Sequence, residues 1–256
     1  VDASGSLSFR IVDASGNPSS VDGLTLNQDG SFSFDPTDSA YDSLVEGATD
    51  SINVNYIATD DQGADSDIGS FSINLTGTND APVATYDASG FATEGESTPL
   101  NGQLTASDVD ASGSLSFRIV DASGNPSSVN GLTLNQDGSF SFDPANERFN
   151  YLAVNEQESV VVRYEVSDEQ GGSNIGTFTI IVSGTNDAPT FTELPVLSGT
   201  QEDSTLSLTK EQLLEGITDP DTTDQIRIQG TPTVERGSII FDNAQDGYIY
   251  TPPADY

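Results

Sequence analysis

One stretch of this chain occurs twice. Residues 1–36 return as residues 109–144 with a single change, Asp22 to Asn130, which sets a period of about 108 residues. The string GTNDAP marks nearly the same period, at 77–82 and again at 184–189. A repeat of this length suits a compact domain with its own core, used as a building block. The period therefore predicts a partial unit at 1–80, a complete unit at 81–187 and a partial, diverged unit at 188–256.

Apolar residues alternate with polar ones through most of each unit, which is the pattern of half-buried β-strands. In 52–58 this places Ile52, Val54, Tyr56 and Ala58 on the buried face and Asn53, Asn55 and Ile57 on the other. Residues 160–166 repeat the pattern. Hairpins are predicted at 24–34, 132–142 and, more loosely, 239–250, each around an Asp-Gly turn. One helical turn is expected after a capping box at 209–212. The sequence thus predicts an all-β fold of short-stranded sandwiches.

The chain is strongly acidic, with 41 Asp and Glu against 7 Lys and Arg, so its formal net charge is 7 − 41 = −34. Such a surface repels nucleic acids and anionic membranes and attracts cations, divalent ones above all. There is no Cys, which excludes disulfides and thiolate metal sites, and no His, the commonest general base. No apolar run approaches the roughly 20 residues of a membrane span. Solubility alone would also explain the charge, but the acids cluster in motifs.

The acidic motifs keep a fixed order in each unit: an Asn-Asp pair before Ala-Pro, a Glu, and then a D-x-D. They are Asn79-Asp80, Glu94, Asp108 and Asp110 in one copy, and Asn186-Asp187, Glu202, Asp219 and Asp221 in the next. A further acid lies in the last turn of each unit, either Asp60 or Asp61 in the first and either Asp168 or Glu169 in the second. Turn chemistry is the competing explanation, because Asp and Asn hydrogen-bond their own backbone, and it is the one we prefer for the Asp-Gly pairs.

This order of motifs resembles the calcium-binding framework of cadherin repeats. LTASDVDASGSLSF, NQDGSFSF and the GTNDAP endings are similar to the VCBS repeats of large bacterial surface adhesins of the RTX type, exported by type I secretion. EDSTLSLTKEQLL, DPDTTD and YTPPADY, in residues 190–256, are similar to cadherin-like modules of the same proteins. The resemblance implies tandem Ig-like or cadherin-like β-sandwich domains in a linear array, with Ca²⁺ at the junctions. The chemistry agrees, since Ca²⁺ takes six to eight oxygen ligands and this chain offers no soft ones.

The resemblance also assigns ligands to each junction. At the first junction they are Asn79, Asp80, Asp108, Asp110 and Asp168. At the second they are Glu94, Glu156, Asn186, Asp187, Asp219, Asp221 and, as an additional ligand, Asp224. Asp2 and Asp60 would serve a site that begins before this sequence, and Glu202 a site that follows it. Gly77 and Gly184 stand where cadherins have an Asp, and no D-R-E motif precedes the penultimate strand, so the number of ions is left open between one and three.

Three classes of function fit these features to different degrees. The first is an extender segment of a bacterial cell-surface adhesin, secreted and extracellular, whose partners are calcium ions and neighbouring repeats, with other domains contacting host or partner-cell glycans or proteins in adhesion or biofilm formation. The second is a carbohydrate- or protein-binding module, expected in the third unit because that unit differs most. The third, a two-carboxylate enzyme, lacks a sequence signal for a buried acid or a nucleophile.

Overall fold

The computed structural model describes residues 5–86, 88–110 and 114–254, and regular structure there is almost entirely β. The strands of the first unit are β1 (Ser8–Val12), β2 (Leu24–Leu26), β3 (Phe32–Phe34), β4 (Thr49–Thr59) and β5 (Gly69–Thr76). Those of the second are β6 (Val83–Ala84), β7 (Ser89–Thr93), β8 (Leu100–Gln103), β9 (Ala106–Ser107), β10 (Ser116–Ile119), β11 (Leu132–Leu134), β12 (Ser139–Phe142), β13 (Gln157–Ser167) and β14 (Ser173–Ser183), with a 3₁₀ turn at Glu147–Phe149. The third holds β15 (Thr190–Phe191), β16 (Leu206–Thr209), helix α1 (Lys210–Leu214), β17 (Ile217–Thr218), β18 (Ser238–Asp242) and β19 (Gly247–Thr251).

The second unit is a sandwich of two sheets. One has the order β10-β13-β14-β7 and the other β11-β12-β8. Strands β13 and β14 pair antiparallel over their whole length, whereas β7 joins β14 in parallel. Aromatic rings meet between the sheets: Phe140 of β12 and Phe178 of β14 have centroids 4.9 Å apart, and Tyr164 lies 6.2 Å from Phe178. The alternation in 160–166 is confirmed, because Val162, Tyr164 and Val166 are fully buried.

The three predicted hairpins are present, as β2–β3, β11–β12 and β18–β19. Gly30 and Gly138 adopt φ of 85° and 84°, the left-handed conformation that glycine tolerates best. The third hairpin differs, because there Asp246 itself takes the positive φ, 49°. The predicted capping box is also confirmed: the Thr209 side chain accepts from the N–H of Gln212, whose own side chain accepts from the N–H of Thr209.

One prediction for β4 is wrong. The alternation placed Ile57 on the solvent side with Asn53 and Asn55, but Ile57 is only 4% exposed. Its neighbour across the strands is Arg10 of β1, whose guanidinium is held by Asp65 through bonds of 3.1 and 2.6 Å. Residues directly opposite each other on paired strands are in contact, and the apolar stem of Arg10 therefore shields Ile57.

Within the described ranges, no helix is long and apolar enough to cross a membrane.

Candidate metal centres

The first junction joins the Asn79-Asp80 pivot to the D-x-D motif that follows β9. The backbone N–H of Asp80 donates to Oδ2 of Asp110 at 2.8 Å. The N–H of Asp110 in turn donates to Oδ1 of Asp108 at 3.0 Å, so the two carboxylates of the motif are held side by side. Residues 79–80 and 108–110 lie far apart in sequence, and the short β6–β9 pairing between them brings them together.

The backbone that leads into each pivot passes so close to another backbone segment that only glycine fits there. A side chain at Gly77 would collide with the backbone carbonyl of Leu44, and one at Gly184 would collide in the same way with that of Leu152. Only glycine permits so close an approach of two backbones. This contact explains why neither pivot carries the aspartate that cadherins have at this position.

Asp168 reaches the first junction from the turn between β13 and β14. Its Oδ2 accepts a hydrogen bond from the Asn79 side chain at 3.0 Å. Its Oδ1 accepts from three backbone N–H groups of the turn, those of Gln170, Gly171 and Gly172. Burial by itself would raise the pKa of Asp168, but the Asn79 amide and the backbone donors outweigh it and hold the pKa below its usual value of 3.8. The carboxylate is thus kept ionised beside the pivot.

The second junction repeats the arrangement of the first. The N–H of Asp187 donates to Oδ2 of Asp221 at 2.9 Å, and the N–H of Asp221 donates to Oδ1 of Asp219 at 3.1 Å. The N–H of Asp224 donates to the backbone carbonyl of Asp221, which closes the turn after the motif. A second contact between the units is made by Thr222, whose N–H and hydroxyl both donate to the carbonyl of Tyr151 at 3.4 Å.

Glu94 closes the second junction from the second unit, and it is only 3% exposed. Its Oε2 accepts from the N–H of Thr185 at 3.2 Å, while its own N–H donates to the carbonyl of Ser183. Burial raises the pKa of the Glu94 carboxyl, and the neighbouring carboxyls of Asp187 and Asp221 raise it further. Three acids from two units therefore act on one another at this point.

Three carboxylate oxygens at the junctions are buried without a hydrogen-bond partner among the described residues: Oδ1 of Asp110, Oδ2 of Asp187 and Oδ1 of Asp221. Asp221 as a whole is 2% exposed. Burial raises its pKa, as do the charges of Asp224, Asp187 and Asp219. A buried carboxylate oxygen without a donor is costly, and a hard divalent cation is a partner that satisfies it. The donor set of both junctions therefore fits Ca²⁺.

Carboxylates alone do not complete either centre. In the part of the chain that the structure describes, no group of three or more Asp or Glu side chains is arranged to hold a metal ion. Calcium sites also take oxygens from amides, backbone carbonyls and water. The buried, unpartnered oxygens of Asp110, Asp187 and Asp221 are therefore the features of these junctions that fit a cation.

The remaining predicted ligands are placed less closely. Asn186 uses its amide to donate to the carbonyl of Asp187, and Glu156 accepts from the N–H of Ala153. Asp60 accepts from the N–H groups of Gln62 and Ala64, in a turn like that of Asp168. Glu202 is exposed, and Asp2 lies outside the described residues.

Asp42 is an acid at the first junction that the sequence motifs do not identify. Burial raises the pKa of Asp80, and the charges of Asp110, Asp42 and Asp108 add to the shift. Asp42 lies with Tyr41, Gly77, Thr78 and Asp80 along a cleft in the first unit. It belongs to no acidic motif, and only its placement beside Asp80 identifies it.

These junctions connect domains of a known kind. Residues 79–184 match the bacterial cadherin-like domain, and residues 185–256 match a cadherin-like domain of a second type. The chain contains tandem cadherin-like domains. Its predicted all-β, cadherin-like architecture is thereby confirmed.

Several solved structures of tandem cadherin domains are similar to this chain. Mouse cadherin-23 EC22-24 has a TM-score of 0.50 at 11% identity, with 97% of this chain and 76% of that chain covered. Human CDH23 EC21-23 has a TM-score of 0.45 at 14% identity, covering 99% and 81%. Protocadherin gamma B7 extracellular cadherin domains 1-4 has a TM-score of 0.46 at 14% identity, covering 98% of this chain; the chain spans 59% of that structure. A search of curated proteins gave no match.

Proposed function

We propose that this chain is an extender segment of a bacterial cell-surface adhesin, in which Ca²⁺ bound at each domain junction fixes neighbouring domains in one orientation. The observation that carries the proposal is Asp221. Its Oδ1 is buried without a partner among the described residues, while its Oδ2 receives the N–H of Asp187 from the pivot. A cation held there takes ligands from both sides of the boundary and couples the two domains.

Electrostatics supports a calcium-dependent junction. Two carboxylates about 4 Å apart repel each other by about 1 kcal/mol in water and by several kcal/mol where solvent is reduced. Glu94, Asp187 and Asp221 are mutually close enough to raise the pKa of Glu94. A divalent cation replaces this repulsion with attraction. Disulfides cannot stiffen the chain, because it has no Cys.

The same proposal covers the biological setting and the domain limits. Domains at 1–80, 81–187 and 188–256 place a pivot at each boundary, and the cadherin-like class fits an extracellular or surface location. The proposal also includes export by type I secretion, membership of the RTX adhesins with VCBS repeats, and a role in biofilm formation. They are supported by the motifs of the sequence.

Small-angle scattering of the whole chain tests this function. With Ca²⁺ we expect a longer maximum dimension and a narrower distribution of conformations than with EDTA. Asp221→Asn should reduce the difference, whereas Asp246→Asn, at an exposed hairpin turn, should leave it unchanged. The same maximum dimension with calcium and with EDTA would remove the extender function.

A second candidate function is ligand binding by the third unit. An apolar cleft there is lined by Pro189, Phe191, Leu213, Ile217 and Ile228. Phe191 lines this cleft and is exposed, so its ring is accessible to a ligand. A glycan array probed with the chain and with Phe191→Ser tests this candidate: specific hits that the variant loses would support it, and an array without hits would dismiss it.

A further inference from the structure

The single difference between the two sequence copies, Asp22 against Asn130, lies beside a glycine in an exposed turn. In the second copy the sequence is Asn130-Gly131, immediately before β11. The turn is closed by a bond of 3.0 Å from the N–H of Leu132 to the carbonyl of Val129, and Gly131 has φ of 76°. Asn130 is exposed.

We propose that Asn130 is a site of spontaneous deamidation in the folded protein. The amide nitrogen of Gly131 attacks Cγ of Asn130 and loses its proton. A C–N bond forms, the Cγ–Nδ2 bond breaks, and ammonia leaves a five-membered succinimide. Water then opens either carbonyl of the ring, which gives aspartate or isoaspartate. One water is consumed and one ammonia is released, and the reaction needs no other reactant.

Three features of the turn permit the attack. The nucleophile is not held by a hydrogen bond, since the N–H of Gly131 donates to no acceptor among residues 5–86, 88–110 and 114–254. The carboxamide of Asn130 is likewise bonded to no group within those ranges, so it is free to rotate toward the backbone. A glycine at the following position presents no side chain that would hinder ring closure.

The chain contains its own control in a second Asn-Gly pair, Asn101-Gly102. This pair lies inside β8, where Asn101 is opposite Ser141 and Gly102 is opposite Phe140 of β12. A substituent at Gly102 would collide with the Phe140 ring, and the Asn101 amide donates to the carbonyl of Pro99 at 3.3 Å. Ring closure there requires the strand to leave the sheet.

The first copy shows that the aspartate product is compatible with the fold. Asp22-Gly23 forms the same turn, with a 3.1 Å bond from the N–H of Leu24 to the carbonyl of Val21 and φ of 66° at Gly23. The isoaspartate product is different, because it adds a backbone carbon ahead of Gly131. The carbonyl of Gly131 accepts a hydrogen bond from the N–H of Asp143 at 2.7 Å, and the longer backbone displaces this carbonyl.

Ageing of the whole chain at physiological temperature and mildly alkaline pH, followed by peptide mapping by mass spectrometry, tests the proposal. Asn130 should deamidate at least about tenfold faster than Asn101, because the strand must open locally before Asn101 can react. In urea the two sites should react at similar rates. The variant Asn130→Asp should melt like the parent chain, and Asn130→Gln should abolish the new species at this position.

Two results would overturn the proposal. One is a folded chain in which Asn101 reacts as fast as Asn130. The other is a folded chain in which Asn130 is as slow as Asn101 although both react in urea, which would mean that the turn protects its asparagine.

Discussion

The two junctions of this chain share one bond pattern and differ in what closes it. In both, the N–H of the pivot aspartate donates to Oδ2 of the second D-x-D aspartate, at 2.8 Å to Asp110 and 2.9 Å to Asp221. The first junction is closed by Asp168, which is hydrogen-bonded and held ionised. The second is closed by Glu94, which is buried among other acids and has a raised pKa.

The difference teaches that one motif can be satisfied to different extents. Each junction has a D-x-D aspartate with a buried oxygen that is unpartnered among the described residues, Oδ1 of Asp110 and Oδ1 of Asp221, and the second junction adds a further one, Oδ2 of Asp187. A cation is therefore needed more at the second junction than at the first. We expect the second junction to bind calcium more tightly and to depend on it more for stability.

Asp221→Asn should have the largest effect on this comparison. We expect the calcium affinity of the second junction to fall about 100-fold, or about 3 kcal/mol, because a central charged ligand is lost. Without calcium the variant should be more stable than the parent chain, since it removes a buried charge that has no partner. Calorimetric titration and calcium-free melts measure both effects. A variant that binds calcium like the parent would show that Asp221 is not a ligand.

A fusion that places a copy of residues 81–108 before Val1 should have the next largest effect. It adds residues equivalent to β7, β8 and Glu94 ahead of residue 1. In the second unit β8 pairs with β12 and Phe140 is 5% exposed, whereas the equivalent Phe32 is 55% exposed. Burying one Phe contributes about 1.5–3 kcal/mol, so unfolding of the first unit should shift upward.

The fusion also supplies the first junction with an acid equivalent to Glu94. Its calcium affinity should then approach that of the second junction. The matched control carries Gln in place of that glutamate; it should gain the stability and not the affinity. Equal calcium affinity with and without the extension would refute the difference that we assign to Glu94.

Asp110→Asn should have a smaller effect than Asp221→Asn. Asp110 is only partly buried, and solvent offsets part of the loss of its charge. We expect calcium affinity at the first junction to fall about tenfold, or about 1.4 kcal/mol. Competition with a fluorescent chelator can resolve the two sites. An effect larger than that of Asp221→Asn would reverse the order of the junctions.

The pH dependence of the calcium-free chain should be the smallest effect, with opposite signs at the two junctions. The folded pKa of Glu94 lies above the usual 4.5, so its contribution to stability is full below that value and is lost as pH rises through the raised pKa. The folded pKa of Asp168 lies below 3.8, so its contribution is present above that value and is lost as pH falls through the lowered pKa.

Thermal melts in EDTA across the acidic range, on the parent and on Glu94→Gln and Asp168→Asn, measure these slopes. Glu94→Gln should remove the gain in stability seen on acidification. Asp168→Asn should remove the loss seen at lower pH. The same slope in all three proteins would contradict the assignment of either group.

Much of the fold follows from the sequence because local rules and burial agree there. Period-two alternation predicts β4 and β13, Asp-Gly turns predict the hairpins, and Thr209 with Gln212 predicts α1. The predicted exposure of Ile57 is wrong because Arg10, a residue on another strand, covers it. The parallel pairing of β7 with β14 has no local signal, since it depends on tertiary contact alone.

The candidate site was predictable to a similar extent. The Asn-Asp and D-x-D motifs identify residues that the structure does bring together. Glu94 is buried at the second junction, where its carboxylate accepts from the N–H of Thr185. Burial depends on which strands lie beside a residue, and a motif does not contain that information.

Calorimetric titration of the whole chain with Ca²⁺ tests the central claim most directly. The parent chain should give saturable binding, with a tighter step that weakens about 100-fold in Asp221→Asn and a weaker step that weakens about tenfold in Asp110→Asn. The double variant should show both steps weakened by these factors, while Asp246→Asn should match the parent. Binding that is absent from the parent, or unchanged in the double variant, would contradict calcium-held junctions.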